Sequence, residues 1–131
     1  MDFMQIGGFT VKPGKLTEFQ RWVEAHLDSL KRTYPAGTSL VGVYVTVFSS
    51  EKGAGDVWMI ERVDSYGALD RLAALGKDTD SEYSRLANEM MSFVDISLAA
   101  PYSNTLLKNI VDATVWSATA GTAAELVPAG A

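Results

Sequence analysis

The segment from Ser39 to Ser49 reads Ser-Leu-Val-Gly-Val-Tyr-Val-Thr-Val-Phe-Ser and constrains this chain more than any other feature. Its β-branched and aromatic residues predict a strand. Side chains alternate between the faces of a strand, so Val41, Val43, Val45 and Val47 share one face and Leu40, Tyr44, Thr46 and Phe48 the other. Neither face is polar. The run Val57 to Val63 repeats the pattern, with Trp58 and Ile60 set against Val57, Met59 and Val63. An antiparallel sheet with one wet face alternates between apolar and polar positions, and these strands do not. Four valines alone present an apolar patch of roughly a few hundred Å2, near the limit a soluble monomer tolerates. Both faces therefore need cover, and the simplest cover for the second is another copy of the sheet across a two-fold axis.

The remaining elements complete the architecture. Met1 to Lys12 reads as a strand that stops at Pro13-Gly14, a pair suited to the two central positions of a type II turn. From Leu16 to Tyr34 the residues Leu16, Phe19, Val23, Leu27, Leu30 and Tyr34 fall on one helical stripe. Thr17 and Gln20 have capping-box spacing near its start, and Pro35 with Gly37 stops it. The polar link from Glu51 to Asp56 predicts an antiparallel hairpin between the two central runs. Asp64-Ser65 is a plausible cap for a helix from Tyr66 to Leu75, and a second helix is expected from about Ser81 to Val94. A final strand lies within Thr105 to Trp116. Strand, helix, strand, strand, helix pair, strand is the split βαββαβ order of ferredoxin-like α+β folds, in which a four-stranded antiparallel sheet carries its helices on one face. One domain over residues 1–116 is expected, followed by an Ala/Gly/Thr-rich tail over 117–131 with too few large apolar residues to pack.

Composition excludes several classes of function. The 131 residues include no cysteine, so disulfides, thiolate metal sites and cysteine nucleophiles are ruled out. With 16 acidic against 11 basic side chains, a net charge of −5 and scattered lysines, the chain has no patch to neutralise a run of phosphates, and nucleic acid is not an expected partner. No stretch approaches ~18 consecutive apolar residues and no basic-then-apolar leader is visible, so a cytoplasmic protein without membrane association is expected. Asp78, Asp80, Glu82 and Glu89 imitate a calcium loop, but Tyr83 stands where such loops need glycine for the sharp turn. Gly53-Ala54-Gly55 lacks the strand-to-helix context of a phosphate loop.

The run Val11-Lys12-Pro13-Gly14-Lys15 leading into a helix with Phe19, and the segment Val57-Trp58-Met59-Ile60-Glu61-Arg62-Val63-Asp64-Ser65-Tyr66, resemble dimeric α+β barrel proteins. That superfamily includes antibiotic-biosynthesis monooxygenases, NIPSNAP-like proteins and muconolactone-isomerase-like enzymes, and the resemblance spans roughly residues 1 to 116. It implies a homodimer whose sheets close face to face, with a small apolar or aromatic ligand between each sheet and its own helices. It does not choose a reaction, since activities in the superfamily run from cofactor-free oxygenation through isomerisation and cyclisation to haem chemistry.

Two residues are candidates for proton transfer in such a pocket. His26, the one histidine, flanks the buried stripe of the first helix and suits a general base near neutral pH. Its place on that helix departs from the C-terminal position associated with a haem ligand in the superfamily, and no cofactor is expected. Glu61 and Arg62 interrupt an apolar strand and must point to opposite faces, where a buried charge needs a partner or a task. Glu61 is the candidate proton acceptor, and Arg62 would hold an anionic or carbonyl group. A salt bridge at the sheet edge is the competing explanation for both. Tyr44 and Phe48, with Trp22, Tyr34, Trp58 and Tyr83, are candidate ligand-wall residues, each of which could instead be core. Two functions follow: a small cofactor-independent monooxygenase, isomerase or cyclase, or a non-catalytic small-molecule-binding or stress-response dimer.

Overall fold

The computed structural model describes residues 2–50 and 55–111. The tip of the central hairpin, 51–54, and the expected tail lie outside the described residues. The elements follow in the order β1 (Phe3–Phe9), α1 (Leu16–Thr33), β2 (Thr38–Val45), β3 (Val57–Val63), α2 (Tyr66–Lys77), α3 (Glu82–Met91) and β4 (Tyr102–Lys108). The four strands form one antiparallel sheet in the order β2-β3-β1-β4, the ferredoxin-like arrangement.

Local chemistry explains the boundaries. Pro13-Gly14 closes a turn in which the Lys15 amide donates to the Lys12 carbonyl at 3.0 Å and Gly14 has φ +77°. α1 begins directly after it at Leu16, which puts Thr17 inside the first turn; the cap position is Lys15, with no side-chain cap bond, so the expected capping box does not form. At the other end Tyr34 is extended (φ −70°, ψ 129°), because Pro35 disfavours helical backbone in the residue before it. Pro35 to Thr38 makes a second turn of the same kind, with Gly37 at φ +85°. A Cβ at Gly37 would stand 2.6 Å from Asp64 Oδ1 and 2.9 Å from the Ala68 methyl, so this turn packs directly on the start of α2. Ser65 and Ser81 cap α2 and α3, accepting from the Ala68 and Ser84 amides at 3.0 and 3.1 Å. The last strand starts at Tyr102, earlier than its expected limits, because Pro101 stands just outside the ladder rather than within it.

The expected face assignment of β2 is corrected by a bulge. Ser39 pairs with Arg62 and Leu40 with Glu61, but Gly42, not Val41, pairs with Ile60. Val41 is the extra residue, and the alternation restarts after it. Leu40, Val43 and Val45 consequently share the helix-covered face with Val57, Met59, Glu61 and Val63, while Tyr44 lies opposite Trp58 on the outer face. Val47 and Phe48 lie beyond the end of the strand and are exposed.

The core sits between helices and sheet. Val11, Phe19, Leu30, Leu40, Val57, Leu86 and Met90 form its main cluster, and Phe3, Val63 and Ala68 a second beneath α2. Burying side chains of this size contributes about 1.5–3 kcal/mol each. β4 differs from the rest: all seven of its residues are exposed, and it is held by its pairing with β1.

Candidate active site

Glu61 points from the middle of β3 into the helix-covered layer, where its residue is 9% exposed. Its neighbours across the sheet are Gln5 of β1 and Leu40 of β2. Above it stands Tyr34, carried there as α1 breaks at Pro35, and the Tyr34 hydroxyl donates to Glu61 Oε1 at 2.9 Å. Tyr83, on the first turn of α3, sets its ring edge-on to that of Tyr34, with centroids 5.7 Å apart at 90°. Three separately nominated residues, Glu61, Tyr34 and Tyr83, are therefore brought together from three elements.

Burial pushes the Glu61 carboxyl above its ordinary range, and the Tyr34 hydrogen bond, which favours the charged form, offsets part of that rise. Burial and the nearby Glu61 charge push the Tyr34 phenol upward and raise Tyr83 to about 12. Both phenols stay protonated at any pH the protein meets, so Tyr34 is a fixed donor. The second carboxyl oxygen, Glu61 Oε2, is buried without a hydrogen-bond partner among the described residues, and so is Oε1 of Gln5. Leaving such an acceptor unpaired costs about 1–3 kcal/mol, so each needs a reason to persist.

Gln5 is a site residue that the sequence did not nominate. Its only signal is register: it lies directly opposite Glu61. Two residues further along the same face is Gly7, where a Cβ would meet only the Ser103 carbonyl, at 3.8 Å. Among the described residues there is therefore room for a methyl group at Gly7, on the face that carries Gln5.

A separate cleft of about 160 Å3 opens at the far end of the layer, between the start of α1 and the β2–β3 hairpin. Leu16, Phe19, Val23, Val43, Val45 and Val57 line it, with Gln20 at its polar position and Tyr44 passing beside it with its ring turned to the outer face. Glu61 lies four steps along β3 from Val57, roughly 13 Å at the rise of a strand, so the apolar cleft and the carboxyl are distinct places.

The other nominated residues lie elsewhere. His26 donates from Nδ1 to the Trp22 carbonyl at 2.7 Å and stacks on the Trp22 ring at 4.6 Å. Its Nε2 is 3.8 Å from Glu89 Oε2, which also accepts from Trp22 Nε1 at 3.0 Å, while Arg85 binds the other Glu89 oxygen at 2.8 Å. His26 and Trp22 thus belong to a polar fastening between α1 and α3. Arg62 points to the opposite face from Glu61 and is ion-paired with Asp2, its Nε 3.0 Å from Asp2 Oδ2. That pair borders a hollow of about 400 Å3 shared with Gly37, Thr38, Ser39 and Asp64. Trp58 lies on the outer sheet face, its ring where a Gly8 Cβ would be, and donates to Thr46 Oγ1 at 2.6 Å. Tyr44 covers Gly42 on the same face, and Phe48 is 89% exposed. Among the described residues no group of three His, Asp or Glu side chains could hold a metal ion, and no helix is long and apolar enough to cross a membrane.

This architecture is that of the NIPSNAP and antibiotic-biosynthesis-monooxygenase folds. A NIPSNAP family protein from Agrobacterium tumefaciens superposes with a TM-score of 0.61 at 14% identity, covering 82% of this chain and 92% of its own. An uncharacterised NIPSNAP-like domain protein from Burkholderia xenovorans gives 0.60 at 14% identity, with 83% and 85% covered. A Caulobacter crescentus protein proposed to be an antibiotic biosynthesis monooxygenase gives 0.52 at 18% identity, with 84% and 91% covered. No family model matches the sequence, and no curated protein does. At these identities the likeness is one of fold.

Proposed function

We propose that this chain is a small cofactor-independent enzyme in which Glu61 exchanges a proton with a small molecule held in the helix–sheet layer beside Gly7. The observation that carries the reading is the buried Glu61 carboxyl, with one oxygen fixed by Tyr34 and the other unpartnered beside a second unpartnered acceptor. A general base works best when its pKa is near the operating pH, and burial moves a carboxyl in that direction. Tyr34 orients Oε1 and leaves Oε2 for the ligand; an X–H bond of the ligand breaks, its proton goes to Oε2, and the electron pair stays on the ligand. That single step can begin an isomerisation, a cyclisation or an oxygenation. His26 has no part in it, being engaged at Glu89.

The test is a survey of small amines, alcohols, phenols and carbonyl compounds by ligand-observed NMR in D2O. Binding, and deuterium entry at carbon where it occurs, should fall in Glu61→Gln, the exchange by about 100-fold or more. If Glu61→Gln leaves every compound unchanged, the reading is wrong. A second reading, a non-catalytic binding protein, is favoured by the 160 Å3 cleft, which contains no carboxylate or imidazole. An apolar cavity of about 150 Å3 is enough for a benzene-sized guest, and a ligand held only there would ignore Glu61→Gln.

The working unit in this reading is a homodimer closed across the outer sheet face, where Ile6, Ile60, Trp58 and Tyr44 gather. Native mass spectrometry should give twice the chain mass, and Ile60→Glu should shift it to the monomer. A wild-type monomer would remove the dimer from the proposal.

A further inference from the structure

Resting on that reading of Glu61, we infer that the ligand is a primary amine, bound as its ammonium ion between Oε2 of Glu61 and Oε1 of Gln5. With Glu61 ionised, the two atoms left free among the described residues are both acceptors, buried, and on residues directly paired across the β1–β3 ladder. Side chains so paired have Cβ atoms about 4.5–5.5 Å apart, a span that a single nitrogen with several N–H bonds can bridge. Once Glu61 is ionised, what the cluster lacks among the described residues is donors. The phenol of Tyr34 is already spent on Glu61 Oε1.

Charge points the same way. The groups facing Glu61 are Tyr34 from α1, Tyr83 from α3, Gln5 from β1 and Leu40 from β2, and none is a cation. Among the described residues a carboxylate here has no counter-ion, and a neutral diol or phenol would not supply one. An ammonium would, and the perpendicular rings of Tyr34 and Tyr83 offer it aromatic faces as well. The space beside Gln5 over Gly7 is where the attached carbon would lie. Binding is coupled to ionisation: the cation displaces the Glu61 proton to solvent, which leaves a carboxylate–ammonium pair.

The experiment is titration calorimetry with butylammonium chloride, and with 1-pentanol as a neutral probe one carbon longer, at several pH values and in two buffers of different ionisation enthalpy. Below the Glu61 titration, butylammonium should release one proton per ion bound and tighten about tenfold per pH unit, while 1-pentanol binds at least tenfold more weakly. Glu61→Gln should lose tenfold or more. Gly7→Val, which fills the approach while leaving the carboxyl in place, should abolish capture yet preserve the Glu61 titration seen by carboxyl 13C NMR. Equal binding of 1-pentanol, or an affinity for butylammonium that does not change with pH, overturns the inference. If Glu61-dependent binding is found only for neutral compounds, the amine is wrong and the proton-transfer site stands; if nothing depends on Glu61, both are wrong.

Discussion

Leu86→Ala is expected to lower folding stability by about 3–4 kcal/mol. Leu86 is 0% exposed and packs in the same cluster as Phe19, Leu30, Leu40 and Val57, so it joins α3 to α1 and to the sheet. α3 has only ten residues, too few to be helical in isolation, and its apolar hold on the domain comes from Leu86 and Met90, beside the polar fastening at Glu89. Deleting the side chain leaves a cavity that the two caps and the Arg85–Glu89 pair cannot close. Urea denaturation should show a lower midpoint with an unchanged slope. A loss below about 1 kcal/mol would mean that the helix settles into the space, and that Tyr83 is less firmly placed than its packing implies.

Glu61→Gln should have the opposite sign near neutral pH: the variant is more stable than the parent chain. The folded state raises the carboxyl above its unfolded value, so it holds the proton more tightly than the unfolded chain does. That contribution to stability is fully present below the unfolded value and is lost as pH rises through the folded one. Each unit of rise corresponds to about 1.4 kcal/mol. Glutamine keeps an oxygen for Tyr34 to donate to and does not ionise, so its stability should stay flat across the same interval. Denaturation of both proteins below pH ~4 and at neutral pH checks this, the reference carboxyl titrating near pH 4.3. The two should converge in acid and separate as pH rises, and a parent chain that gains on the variant instead would show that the carboxylate has a partner in the fold. A residue retained at a cost to stability is what a functional site leads one to expect.

Much of this fold was legible because apolar spacing alone separates α1, β3 and α3 from their surroundings. β3 occupies the limits its sequence predicts, and α1 ends one residue short of them, where proline forbids more. Glu61 announced itself as a charge in an apolar strand, and Tyr34 and Tyr83 as aromatic residues on helical stripes. Their convergence was not legible, since it depends on where the ends of two helices fall over the sheet. Gln5 was missed for a related reason: between Met4 and Ile6 a lone glutamine looks like a solvent-facing residue, and only the pairing with Glu61 shows otherwise. The chemistry that nominates His26 is general, whereas its contacts with Trp22 and Glu89 are a matter of α3's position. The lining of β2 was misassigned because alternation presumes an unbroken ladder.

The bulge at Val41 bears on how this chain should be compared with its relatives. Residues on either side of it keep different parity, so β2 is in effect two short strands spliced by one inserted residue. A relative lacking that residue would present the same inner and outer faces with the opposite odd and even positions. Aligned without a gap, the two would put cleft-lining valines against outer-face tyrosines and count real correspondence as mismatch. Against any such relative, divergence measured straight through this strand is overstated, and the cleft is better compared in two blocks, before residue 41 and after it.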